Sequence, residues 1–123
     1  MDIFWLKNGL KVVHVQKKSA SIALQITVKV GSNNEKLSQL GISHFLEHML
    51  FEGTKRRPTS LIISNEVERY GAEFNAYTGE ERTAFHIKIL SKHFDVALDL
   101  IADMLQNSVF NEDSINRERN VIL

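Results

Sequence analysis

Between Ala20 and Val30 apolar and polar positions alternate: Ala20, Ile22, Leu24, Ile26, Val28 and Val30 share one side, and Ser21, Ala23, Gln25, Thr27 and Lys29 the other. A period of two places successive side chains on opposite faces, so this stretch predicts a strand with one buried face. Arg82 to Leu90 predicts another, with Phe85, Ile87 and Ile89 together, preceded by a shorter strand over Ala72 to Thr78 and a Gly79-Glu80 turn. Near the start, Phe4 to Lys7 and Leu10 to Gln16 flank Asn8-Gly9, a pair that suits a type I′ hairpin turn.

The helical period takes over elsewhere. From Ser38 to Glu52, Ile42, Phe45, Leu46 and Met49 fall at i, i+3, i+4 and i+7, a stripe predicted to face a core. The opposite side carries His44, Glu47, His48 and Phe51, so this helix is predicted to be covered on both sides. A second helix starts at Thr59 or Ser60, after Pro58, and runs to Gly71. Ser91 opens a third to about Gln106, with Phe94, Ala97, Leu98, Ile101 and Leu105 as its stripe, and Asn111 caps a fourth on which Ile115 and Ile122 mark the apolar side. Lys55-Arg56-Arg57 predicts an exposed, solvated basic turn. Strands joined by hairpins, with helices between pairs of strands, predict one α+β domain over 1–123. Its mainly antiparallel sheet is covered by helices as a two-layer sandwich.

Composition narrows the function. Fifteen basic residues balance fifteen acidic ones, which gives no electrostatic reason to expect nucleic acid or a membrane surface as partner. There is no cysteine, so disulfides, thiol catalysis and Cys-based zinc sites drop out. No run of 18 apolar residues offers a membrane span, and Met1-Asp2-Ile3-Phe4 has no signal or transit character, so a cytoplasmic location is expected.

The chemistry concentrates in His44-Phe45-Leu46-Glu47-His48. Histidines four apart on a helix lie one above the other, the spacing at which one metal ion takes a nitrogen from each. Glu47 lies on the same side, placed to act as a base without being a ligand. With five histidines in 123 residues, a chance His-x-x-Glu-His arises in roughly one sequence per hundred. In the fourth helix Glu118 falls on the apolar stripe, where a carboxylate needs a partner; Arg117 and Arg119 are local ones. His14, His86 and His93 belong to no motif.

The motif resembles the inverted zinc-peptidase signature. Lys7-Asn8-Gly9-Leu10, Val30-Gly31-Ser32, the run Gly41 to Phe51 with Gly53-Thr54, Phe74-Asn75-Ala76-Tyr77-Thr78, Glu81-Arg82-Thr83, and Arg117-Glu118 with Val121-Ile122-Leu123 extend the likeness across the chain. Together they resemble the N-terminal domain of the pitrilysin/insulinase (M16) zinc peptidases, which include mitochondrial processing peptidase. The resemblance implies a zinc metalloendopeptidase with one Zn2+ per complete site, His44 and His48 as metal ligands and Glu47 as general base. Phe74, Asn75 and Ala76 match an edge strand that binds an extended or unfolded peptide substrate through its backbone. In the family two acidic residues seven apart complete the site: Glu118 matches the first, a supporting residue, and the second, the third zinc ligand, would fall two residues past Leu123. The chain is therefore expected to be an incomplete domain, inactive alone, whose partner is a second M16-like half or subunit. The alternative is a non-catalytic, processing-peptidase-like scaffold subunit, although such members often lose motif residues that are intact here. S-ribosylhomocysteinase, which shares the inverted motif, depends on a cysteine this chain lacks.

Overall fold

The computed structural model describes residues 1–122. The strands are β1 (Asp2–Trp5), β2 (Lys11–His14), β3 (Ser21–Val28), β4 (Glu73–Thr78) and β5 (Thr83–Leu90), and the helices are α1 (Ile42–Leu50), α2 (Ser60–Arg69), α3 (Phe94–Gln106) and α4 (Glu112–Ile122). Single 3-10 turns lie at Ser32–Asn34, Leu37–Gln39 and Ser91–His93.

β3, β5 and β4 form an antiparallel sheet in that spatial order, with β5 central and β4 at an edge among the described residues. Register aligns Leu24, Ile87 and Phe74 across the three strands, and likewise Ile26, Phe85 and Ala76. This is the helix-covered face. Ile63 of α2 and Ala97, Leu100 and Met104 of α3 pack on Ile87 and Ile89; Leu50 and Ile101 pack on Phe85. Fully burying one such aliphatic side chain contributes about 1.5–3 kcal/mol. The other face carries Gln25, His86 and Asn75 in register, with Gln25 and Asn75 exposed and His86 half-buried. The result is the expected α+β two-layer arrangement.

Local capping follows the sequence. The Thr59 hydroxyl accepts the Ile62 N–H at 3.2 Å, and Asn111 Oδ1 accepts those of Asp113 and Ser114 at 2.9 and 3.3 Å.

Several expectations are corrected. The first hairpin turns as Leu6–Gly9, the Gly9 N–H reaching the Leu6 carbonyl at 2.9 Å, with Gly9 at φ +89° and Asn8 not left-handed. That is the longer loop closed by a left-handed glycine, not the two-residue I′ turn. α1 is shorter than its periodicity, because Gly41 at φ +88° breaks the backbone before Ile42. Its stripe also faces differently. Ile42 and Leu46 are 50 and 46 % exposed, whereas Ser43, Met49 and Leu50 are buried, since the sheet and α4 approach from other sides. On α3, Leu98 is exposed and Leu100 and Met104 take the core side.

Arg57 overturns the solvated-loop expectation: its side chain is only 8 % exposed. It meets Glu66 of α2 at 2.5 Å and Asp99 and Asp103 of α3 at 2.9 and 2.6 Å. Thr54 donates to the same Asp103 oxygen at 2.6 Å. The planar five-donor guanidinium grips Glu66 through two nitrogens and still serves Asp99 and Asp103, a bidentate geometry that a Lys point charge lacks. The loop after α1 is thereby tied to two helices.

Candidate functional site

α1 presents the motif. Its one-turn spacing brings His44 Nε2 and His48 Nε2 to face each other at 3.0 Å, the rings edge-on with centroids 4.5 Å apart. Zinc–nitrogen bonds of about 2.0–2.1 Å at a tetrahedral angle put two such nitrogens about 3.3 Å apart, so the pair is close to a ligating separation. One donor atom each from His44, Glu47 and His48 lies within 4.8 Å of the others. The donor set, two imidazoles with a carboxylate beside them, fits zinc.

The ring of His48 is oriented from behind. Its Nδ1 lies 2.9 Å from Glu118 Oε2 on α4, whose carboxylate is largely buried. Burial pushes the Glu118 pKa up, but side-chain hydrogen bonding, with His48 Nδ1 as partner, and the nearby Arg117 charge hold the group below the ordinary carboxylate range. An ionised carboxylate only accepts, so Nδ1 carries the proton and Nε2 keeps its lone pair for a metal. Arg117 does not pair with Glu118 in a salt bridge; it reaches across to Glu52 at 2.6 Å, a second tie between α1 and α4.

Glu47 turns toward the sheet, where one of its oxygens accepts a hydrogen bond from the Thr78 hydroxyl at the end of β4. It lines an open cleft of about 530 Å³ with His44, Ser32, Glu35, Leu40, Gly41, Ala76, Tyr77 and Thr78. Glu35 accepts the Gly41 and Ser43 N–H groups at 2.9 and 2.7 Å, securing the first turn of α1. Those backbone bonds, Ser43's first, depress its pKa.

Of the three β4 residues singled out in sequence, Ala76 lines the cleft. The Phe74 ring packs edge-on against Phe51 at 5.1 Å, inside the core. Asn75 is exposed on the outer face, opposite His86. Thr78, Tyr77 and Glu35 were not singled out as site residues. Only their place beside Asn75-Ala76, or in a polar loop before the motif, pointed to them. His14 sits beside Asp2 at 3.6 Å, and His93 packs on Tyr70 at 4.9 Å.

The family model described as Insulinase (Peptidase family M16) matches residues 11–123. The chain belongs to the insulinase (M16) peptidase family. It is 46 % identical over 123 residues to an uncharacterized zinc protease of Rickettsia felis, covering 99 % of this chain and 30 % of that protein. It is 42 % identical to the mitochondrial-processing peptidase subunit beta of Bos taurus and to the human cytochrome b-c1 complex subunit 1, in each case covering 96 % of this chain and 24 % of the relative. A protease from Helicobacter pylori superposes with a TM-score of 0.92 at 36 % identity, over 98 % of this chain and 29 % of that one. The chain thus spans less than a third of the length of these relatives.

Proposed function

We propose that this chain is the zinc-binding part of a metalloendopeptidase acting on extended or unfolded peptides. The observation that carries the reading is the opposed Nε2 pair of His44 and His48 at 3.0 Å, with Glu47 alongside and His48 held from behind by Glu118. His44 and His48 would hold the ion, and Glu118 fixes the tautomer and tilt of His48. Zinc, when bound, supplies a positive charge that polarises the scissile carbonyl and makes a water acidic enough to attack near neutral pH. Glu47 takes the proton from the attacking water and passes it to the leaving amine nitrogen. The edge of β4, unpaired among the described residues and with Ala76 and Tyr77 on the cleft, offers backbone groups to a substrate lying as an added strand, a mode that reads backbone more than side chain. A third protein ligand and a second M16-like half or subunit complete the enzyme from outside these residues.

The second reading is a scaffold subunit. It draws on the relative named as a cytochrome b-c1 complex subunit, which is as similar as the peptidase subunit. The intact His44, Glu47 and His48 favour the enzyme. The deciding experiment is Glu47→Gln in the full-length, zinc-loaded protein, assayed on an internally quenched peptide. Zinc content should stay unchanged while kcat falls about 10²–10⁴-fold, the usual span for losing a general base. A complex that keeps its activity in the variant would establish the scaffold reading.

A further inference from the structure

Glu47 is a flexible side chain at the edge of an open cleft, yet its carboxylate is not free. The Thr78 hydroxyl donates to Oε2, 31 residues away in sequence. Thr78 itself sits on a rigid mount. It ends β4 opposite Thr83 of β5, and the following turn is closed by the Gly79 N–H to the Arg82 carbonyl at 2.8 Å. That turn is pinned from the other side: Ser32 and Asn33 donate backbone N–H groups to the Gly79 and Glu80 carbonyls at 3.1 and 2.8 Å.

We propose that Thr78 is a positioning residue for Glu47. Its hydroxyl holds one carboxylate oxygen and leaves the other without that tether, on a side chain that lines the cleft. The same strand also contributes Ala76 and Tyr77 to the cleft wall. A peptide seated along β4 and the base that acts on it are therefore referenced to one backbone. This inference rests on the peptidase reading and on Glu47 as its base. Misplacing a reacting group by about 1 Å costs on the order of 10²-fold in rate, so a base left to rotate should show itself in kcat.

The test compares Thr78→Val, Thr78→Ser and Thr78→Ala with Glu47→Gln in the full-length zinc-loaded enzyme, on an internally quenched peptide. Valine keeps the branched shape and removes only the hydroxyl. Thr78→Val should lower kcat about 10- to 100-fold with KM within about twofold of the parent, and serine should restore most of the rate. Zinc content by elemental analysis and the melting temperature should match the parent for both. If Val does not fold, an impaired Ala beside an active Ser gives the same support. Parental kcat in Thr78→Val, equal impairment in Val and Ser, or loss of zinc in Val would overturn the proposal. With Glu47→Gln inactive, such a result sinks the role of Thr78 alone. An active Glu47→Gln sinks the peptidase reading and this inference together.

Discussion

At the scale of single residues the site depends on polar groups that hold other polar groups. Glu118 makes no contact with the Nε2 side of the histidines; its effect passes through the His48 ring. Carboxylate support of this kind is worth about 10- to 100-fold in metal affinity. Glu118→Ala should weaken zinc binding by that factor in competition with a chromogenic chelator, whereas a purely packing role for Glu118 would leave the affinity at the parental value. Asp103 is the corresponding structural case. Burial works against its charge, but hydrogen bonds from Thr54, Asn107 and Arg57 bring its pKa down from 3.8 to about 2. A carboxylate depressed on folding stabilises fully above its unfolded pKa, and that contribution is lost as pH falls through the folded value. Between pH about 4 and about 2 the folded protein should therefore lose about 2 kcal/mol more than the Asp103→Asn variant, read from urea midpoints. Equal losses in the two proteins would remove Asp103 from the account of acid sensitivity.

At the scale of elements, the loop before α1 joins the motif helix to the sheet. Its Ser32 and Asn33 bond the β4–β5 turn, and its Glu35 holds the start of α1. Gly31 permits the close approach. A Cβ there would collide with the Gly79 carbonyl oxygen and lie 2.7 Å from the Glu80 carbonyl group, backbone that cannot swing away. Gly31→Ala should cost about 1–3 kcal/mol, the range for overpacking, and should also lower kcat, because the displaced turn adjoins Thr78. Urea unfolding with the peptide assay checks both; an unperturbed midpoint would mean the loop yields without cost. On the far side of α1, Arg57 ties the following loop to α2 and α3, so polar contacts flank both ends of the motif helix and add to the burial of Met49 and Leu50.

For the whole molecule, what stands out is apolar surface left open. β1 and β2 expose Ile3, Phe4, Trp5 and Val13, and α1 exposes Ile42 and Leu46. Among the described residues the strongly packed core is confined to the sheet face under α1, α2 and α3. The proposed reading has two histidine ligands where a catalytic zinc site uses three protein ligands, so on that reading residues 1–123 alone should hold zinc weakly and hydrolyse peptides negligibly. Elemental analysis with His48→Ala as control measures this. One tightly held zinc per chain, lost in the control, would place the third ligand within these residues or on a neighbouring copy.

Much of this was legible along the chain. The period of two in Ile22-Leu24-Ile26 and Phe85-Ile87-Ile89 set the sheet faces, because side-chain direction on a strand is a local property. Thr59 and Asn111 capped as their side chains allow, and the four-residue spacing alone placed His44 and His48 one turn apart. Tertiary structure decided the rest. Which face of α1 is covered depended on where the sheet and α4 came to lie, so an apolar stripe clear in sequence ended partly exposed at Ile42 and Leu46. Arg57 read as solvated because its three carboxylates are 9 to 46 residues away, and only the fold gathers them. The bonds His48–Glu118 and Glu47–Thr78 span 70 and 31 residues. The sequence by itself determined most of the elements and the pair of imidazoles one turn apart. Which partners orient those side chains was left to the packing of distant segments, since hydrogen-bond partners are chosen by position in space and carry no period along the chain.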